Sequence, residues 1–182
     1  MTNVSAPTTA AAVANAFLDL QNADPDRGQY YAIDQMKLYK LVYYAQAWWL
    51  AHTSAPLFEE DVHAWPWGPV VPELYGHFKS AGRNSIQQQR ATTIKKTGSG
   101  FLDYTFEEPE KPEQRILDFL KQVWDIHKSF SGVALSNATH AEGEPWTIVK
   151  DLHSGDLSSK PLIPIDVIED VFKGKLSAGQ PA

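Results

Sequence analysis

The sequence predicts one mainly helical domain, α+β only through a minor β element, with five or six helices and a small β-hairpin or sheet. Three observations carry this. Apolar residues recur at helical spacing, most clearly at Ile116, Phe119, Leu120, Val123, Trp124 and His127. Only two short stretches, 60–66 and 101–106, alternate as strands do. The third is core material: six Trp, seven Tyr and eight Phe within a hydrophobic content of 43%. A chain of 182 residues can bury roughly 70% of its unfolded surface, so these side chains suffice for one domain.

Taken in order, residues 1–8 read as a flexible tail and 9–175 as the domain. Thr8 or Thr9 can cap a first helix running to about Gln21, with Val13, Phe17 and Leu20 on one face. The segment 22–28 (NADPDRG) is a break of Pro, Gly and short polar residues. Asp34 can cap the second helix, which runs to about His52 and is apolar nearly all round. Leu38, Leu41, Val42, Ala45, Trp48 and Trp49 share one arc. Met36, Tyr39, Tyr43, Ala47 and Leu50 fill the other, leaving a narrow charged strip at Lys37 and Lys40. Such a helix is buried on two sides, or buried on one and offered to a partner on the other.

The run Trp65-Pro66-Trp67-Gly68-Pro69-Val70-Val71-Pro72 reads as a loop whose prolines and glycine restrict the backbone and hold two indoles. Pro72 then opens a short helix carrying Leu74, Tyr75 and Phe78. From 79 to 96 the charge is basic: Lys79, Arg83, Arg90, Lys95 and Lys96 with no acid. After Gly98 and Gly100 the sign reverses through Asp103, Glu107, Glu108, Glu110 and Glu113. A hairpin or irregular loop is expected there. Pro112 starts the amphipathic fourth helix, Ser131 caps the next, and Pro145 begins a turn or two with Trp146. Pro164 opens a last helix that Gly174 should stop, leaving 176–182 as a second flexible tail.

Composition excludes several classes. The absence of Cys removes disulfides, thiolate catalysis and Cys-based zinc sites, and fits a cytoplasmic protein. No apolar run approaches the roughly 20 residues that span a bilayer, so no membrane partner is expected. A net charge of −6 argues against a dedicated nucleic-acid binder.

No residue pattern demands catalysis. His140, Glu142 and Glu144 invite a metal reading, since imidazole and carboxylate suit zinc or manganese. A metal-dependent hydrolase centred on them is one alternative. The blander account is that His140 sits at a helix junction and orients Trp146. The basic segment 79–96 offers a second alternative, a DNA-binding regulator, although no aromatics interleave its charges to stack on bases. A solvated loop or a dock for an acidic partner explains that segment more simply. No cofactor and no metal are expected.

Two boxes of sequence resemble a known family. The first is K-L-Y-K-L-V-Y-Y-A-Q-A-W-W-L followed by A-W-P-W-G-P-V-V-P-E-L-Y; it contains Lys40, Leu41, Tyr44, Ala45, Trp65, Gly68, Pro69 and Val70. The second, Thr139-His140-Ala141-Glu142-Gly143-Glu144-Pro145-Trp146, carries a T-H-x-E motif and a P-W pair with one extra residue before the proline. Together they resemble the Panacea domain of the SocA-like antitoxins, over roughly residues 33–150. The resemblance implies a non-enzymatic antitoxin that binds and neutralises a cognate protein toxin. It also implies an adaptor role, delivering the toxin to the ClpXP protease. Residues expected to hold the toxin are Trp65 and Trp67, with Tyr39, Tyr43 and Tyr75 and the cations Lys79, Arg83 and Arg90. The family-motif residues, including Thr139, His140, Glu142, Pro145 and Trp146, are expected to be structural.

Overall fold

The structure, a computed structural model, describes residues 6–25 and 32–179. Seven α-helices and two small antiparallel ribbons lie among them, making the protein mainly α with a minor β component. The order is α1 (Ala10–Ala23), α2 (Gln35–Thr53), β1 (His63–Trp65), β2 (Gly68–Val70), α3 (Pro72–Phe78), β3 (Thr93–Lys96), β4 (Tyr104–Glu107), α4 (Gln114–His127), α5 (Gly132–Thr139), α6 (Pro145–Leu152) and α7 (Ile165–Ser177). Seven helices exceed the five or six expected because the segment from Pro145, expected as a turn or two, is a helix of its own, α6.

α2 is the axis of the molecule. Asp34 Oδ1 accepts from the amide of Lys37 at 2.7 Å, satisfying one of the orphan donors of the first turn. Every residue from Lys37 to Ala51 is buried, because α1, α4, α5, α7 and β2 all pack on this helix. Of the two outcomes its all-round apolarity allowed, burial on both sides is what the fold provides. The expected charged strip is not a surface feature: Lys37 and Lys40 are buried with the rest. Small residues let neighbours approach closely. An added Cβ at Gly132, where α5 begins, would lie 2.8 Å from Asp34 Oδ1 and 2.8 Å from Lys37 N. α7 closes the opposite side, with the Phe172 ring edge-on to Trp48 at 4.9 Å.

Three buried amides pin loops to helices. Gln46 donates to Phe58 O and accepts from Leu57 N, Asn15 exchanges two hydrogen bonds with the backbone of Ala91, and Gln21 donates to Ile86 O. Each pairs an otherwise stranded backbone group, so the loops can be buried without loss.

The sheet differs from expectation. Strands at 60–66 and 101–106 were expected to form one sheet; instead each pairs with its own sequence neighbour. β1 pairs with β2 in the register His63↔Val70, Ala64↔Pro69 and Trp65↔Gly68, so the supposed loop of Trp and Pro is a tight hairpin. Hairpin pairing between near neighbours closes a short loop at little entropic cost. A bridge from His63 to Leu162, with Ala64 N donating to Pro161 O, adds the segment before α7 to the outer edge of β1. β3 and β4 form a second hairpin at the basic-to-acidic crossover.

At the ends, residues 6–8 hydrogen bond onto the body, Ala6 N to Glu59 and Thr8 N to Leu57 O. Residues 1–5 and 180–182 of the expected tails lie outside the described residues, as does the part of the 22–28 break beyond Pro25. Gly174 does not stop α7, which runs on to Ser177. A glycine inside a helix costs roughly 1 kcal/mol but does not forbid it.

Candidate functional site

The two sequence boxes, about 70 residues apart, meet at the β1–β2 hairpin. Lys40 rises from α2 beneath it and donates to Pro69 O at 3.0 Å. Burial pushes the Lys40 ammonium down to about 7, because an apolar surround disfavours the charged form. Gly68 lies directly above, at φ +106°. A Cβ there would stand 2.7 Å from Lys40 Cε and 2.9 Å from Thr139 Oγ1, so only glycine admits the lysine beneath the hairpin.

α5 and α6 hold the hairpin from the side. Ser136 Oγ donates to Trp67 O at 2.7 Å, and Trp146 Nε1 donates to Trp65 O at 2.8 Å. Thr139, fully buried, returns its hydroxyl to Ser136 O at 2.7 Å. His140 is the C-cap of α5 and stacks on Trp146, centroids 3.8 Å apart. Burial, then the nearby Lys40 and Lys150, holds His140 below the usual imidazole range. Pro145 sits in the first turn of α6, where a missing N–H costs nothing.

The product of this scaffolding is the position of two indoles. Trp67 stands at the tip, 71% exposed, with its own carbonyl and that of Trp65 tied down. Trp65 is half-buried: Tyr75 packs 5.1 Å away and the Lys160 ammonium lies 3.9 Å over its ring. Tyr75 is part-exposed, and Lys79 and Arg83 are exposed.

Three expected toxin contacts do not face outward. Tyr39 and Tyr43 are buried in the core, where burial raises both phenols, Tyr43 well above the usual range. They lie on the arc of α2 that the fold covers, so neither ring reaches a partner of the folded chain. Arg90 is a clamp: its guanidinium pairs with Asp19 at 2.7 Å and with Glu108 at 3.1 Å. The metal alternative finds no constellation either. Glu144 pairs with Lys175, Glu142 is exposed, and among the described residues no three His, Cys, Asp or Glu side chains are grouped to hold an ion. In the basic segment, Arg90 and Lys95 are both engaged by carboxylates.

Sequence reasoning missed Ser136 and Lys160. Neither stands out by residue type, since one acts on a backbone carbonyl and the other on a ring face.

The buried junction thus holds one exposed aromatic turn in place. The chain matches the family model described as antitoxin SocA-like, Panacea domain, over residues 38–147, and it belongs to that family. It is similar to Antitoxin SocA of Caulobacter vibrioides (strain NA1000 / CB15N), with 30% identity over 164 residues that span 90% of this chain and 82% of that protein. No solved structure matches the chain. Among the described residues no helix is long and apolar enough to cross a membrane.

Proposed function

We propose that this chain is a cytoplasmic, non-enzymatic antitoxin that neutralises a cognate protein toxin by direct binding, with Trp67 as the principal anchor. The observation that carries the reading is the exposure of Trp67 on a hairpin whose carbonyls are fixed by Ser136 and Trp146. Large apolar rings are costly to expose, and Trp dominates the energetics of protein interfaces. A ring already held in place loses little conformational freedom on binding. Tyr75 extends the aromatic surface, and Lys79 and Arg83 supply positive charge that would steer an acidic toxin.

The same binding serves two outcomes, an occluded toxin or a toxin handed to the ClpXP protease. Co-expression of the gene adjacent to this chain's own tests the class: its product should be toxic alone and tolerated with this chain. Toxin half-life in cells lacking ClpX separates the outcomes. A half-life unchanged by loss of ClpX means occlusion; a lengthened one, with toxicity restored, means delivery. A neighbouring product that is harmless alone, or equally toxic with this chain, contradicts the proposal.

A further inference from the structure

The β3–β4 hairpin stands away from the body of the protein. Beyond each other, neither strand packs substantially on any other element. Its base is nevertheless fixed. Arg90, just before β3, bridges Asp19 of α1 and Glu108 just after β4, and Ala91 is held by both ends of the Asn15 amide. The turn is ordered by Asp103, which accepts from Gly100 N through its carboxylate and from Thr97 N through its backbone carbonyl.

The register sorts the side chains into two unlike faces. The pairs Ile94↔Phe106 and Lys96↔Tyr104 share one side, and Thr93↔Glu107 and Lys95↔Thr105 share the other. The second face is polar and internally satisfied, with Lys95 and Glu107 paired at 3.2 Å. The first is apolar and open: Ile94 is 65% and Phe106 73% exposed, and Phe101 and Leu102 at the tip are 93% and 85% exposed. A two-stranded ribbon is marginal alone, and an apolar face of this kind ordinarily lies against something.

Charge indicates what covers it. Lys96 is the sole charge on the apolar face and makes no ion pair among the described residues. A second copy laid face to face would bring another Lys96 and no carboxylate, desolvating ammonium groups without compensation. Nucleic acid is opposed by the acidic run of Glu107, Glu108, Glu110 and Glu113 at the hairpin's end. The occupant is therefore an apolar protein surface with a carboxylate placed for Lys96. It can also extend the sheet along β4, since Tyr104-Thr105-Phe106-Glu107 has neither the lysines that guard β3 nor a proline.

We infer that the apolar face of the β3–β4 hairpin is a second docking surface for the cognate toxin, occupied by an apolar segment bearing an acidic residue. This rests on the antitoxin reading above and adds a site that Trp67 does not provide. The test is a binding titration of the purified product of the adjacent gene against the full-length chain. Phe101→Ser/Leu102→Ser, Phe106→Thr and Lys96→Glu would be compared with the unaltered chain, with melting curves and sedimentation run alongside. The exposed positions should keep the melting temperature, the apolar variants should each lose at least tenfold in affinity, and Lys96→Glu should lose more at low salt than at high. Unchanged toxin affinity in all three folded variants overturns the inference while leaving Trp67 in place. Variants that convert a dimer to a monomer without altering toxin affinity identify a second copy as the occupant and also overturn it. No binding by the unaltered chain removes the antitoxin reading itself, and this inference with it.

Discussion

The Lys40 ammonium, 1% exposed on the central helix, donates to the carbonyl of Pro69 at 3.0 Å, across a gap that only Gly68 leaves open. This pairing joins the most buried helix of the protein to the hairpin that displays Trp67. It makes the hairpin part of the core rather than an appendage.

Gly68→Ala should therefore be among the most damaging small substitutions. The residue combines a backbone at φ +106° with atoms on two sides within 2.9 Å of a new methyl group. Strain and overpacking together should cost about 3 kcal/mol. Gly76→Ala is the control: it lies within α3 with nothing inside 4 Å of a new methyl group, and the change should cost nothing. Chemical denaturation midpoints for the two variants check the difference.

Stability should rise with pH above neutrality. The Lys40 ammonium is pushed down to about 7 and that of Lys37 to about 8, both by burial, against 10.5 in the unfolded chain. Between those values the unfolded chain holds protons that the folded chain lacks, so raising the pH favours folding. The slope reaches at most ~1.4 kcal/mol per pH unit for each lysine. The buried phenols of Tyr39, Tyr43 and Tyr44, raised by burial, reverse the trend above about pH 10. Unfolding free energy from pH 7 to 9.5 is the measurement. Lys40→Met should flatten the rise between pH 7 and 8 and leave the contribution of Lys37 above it.

Arg90→Gln should loosen the β3–β4 hairpin without unfolding the domain. It removes contacts to Asp19, Glu108 and the Asn15 carbonyl. The side chain is one-fifth exposed, so allowing for solvent screening the loss is about 1 kcal/mol. Amide hydrogen exchange should accelerate over residues 93–107 and remain unchanged in α2. Equal acceleration in both would mean that Arg90 supports the whole core.

Much of this fold was legible because it is local. Asp34 caps α2, Thr9 caps α1, Ser131 caps α5, and Pro72 and Pro145 stand in first turns, each by a rule that needs only neighbouring residues. The burial of Lys37 and Lys40 was not legible, because their acceptors are backbone carbonyls of Lys128 and Pro69, which carry no residue signature. Strand pairing failed for the same reason: alternation marks a strand but not its partner. Within the site, Trp65 and Trp67 look equivalent in sequence, two residues apart in one proline-rich run. The hairpin separates them, since its tip exposes Trp67 while Lys160 and Tyr75 cover Trp65. The inward turn of Tyr43 follows from α7, whose Phe172 ring packs edge-on to it at 6.0 Å, a long-range fact that helical periodicity does not contain.

The most direct test of the account is the affinity of Trp67→Ala for the toxin, read together with its melting curve. The indole is largely in solvent, so its removal should leave the melting temperature within a degree or two of the unaltered chain. Loss of an interface anchor should cost at least 2 kcal/mol, roughly thirtyfold in affinity, and neutralisation in cells should fail with it. A Trp67→Ala chain that folds normally and binds the toxin with undiminished affinity would contradict the central claim.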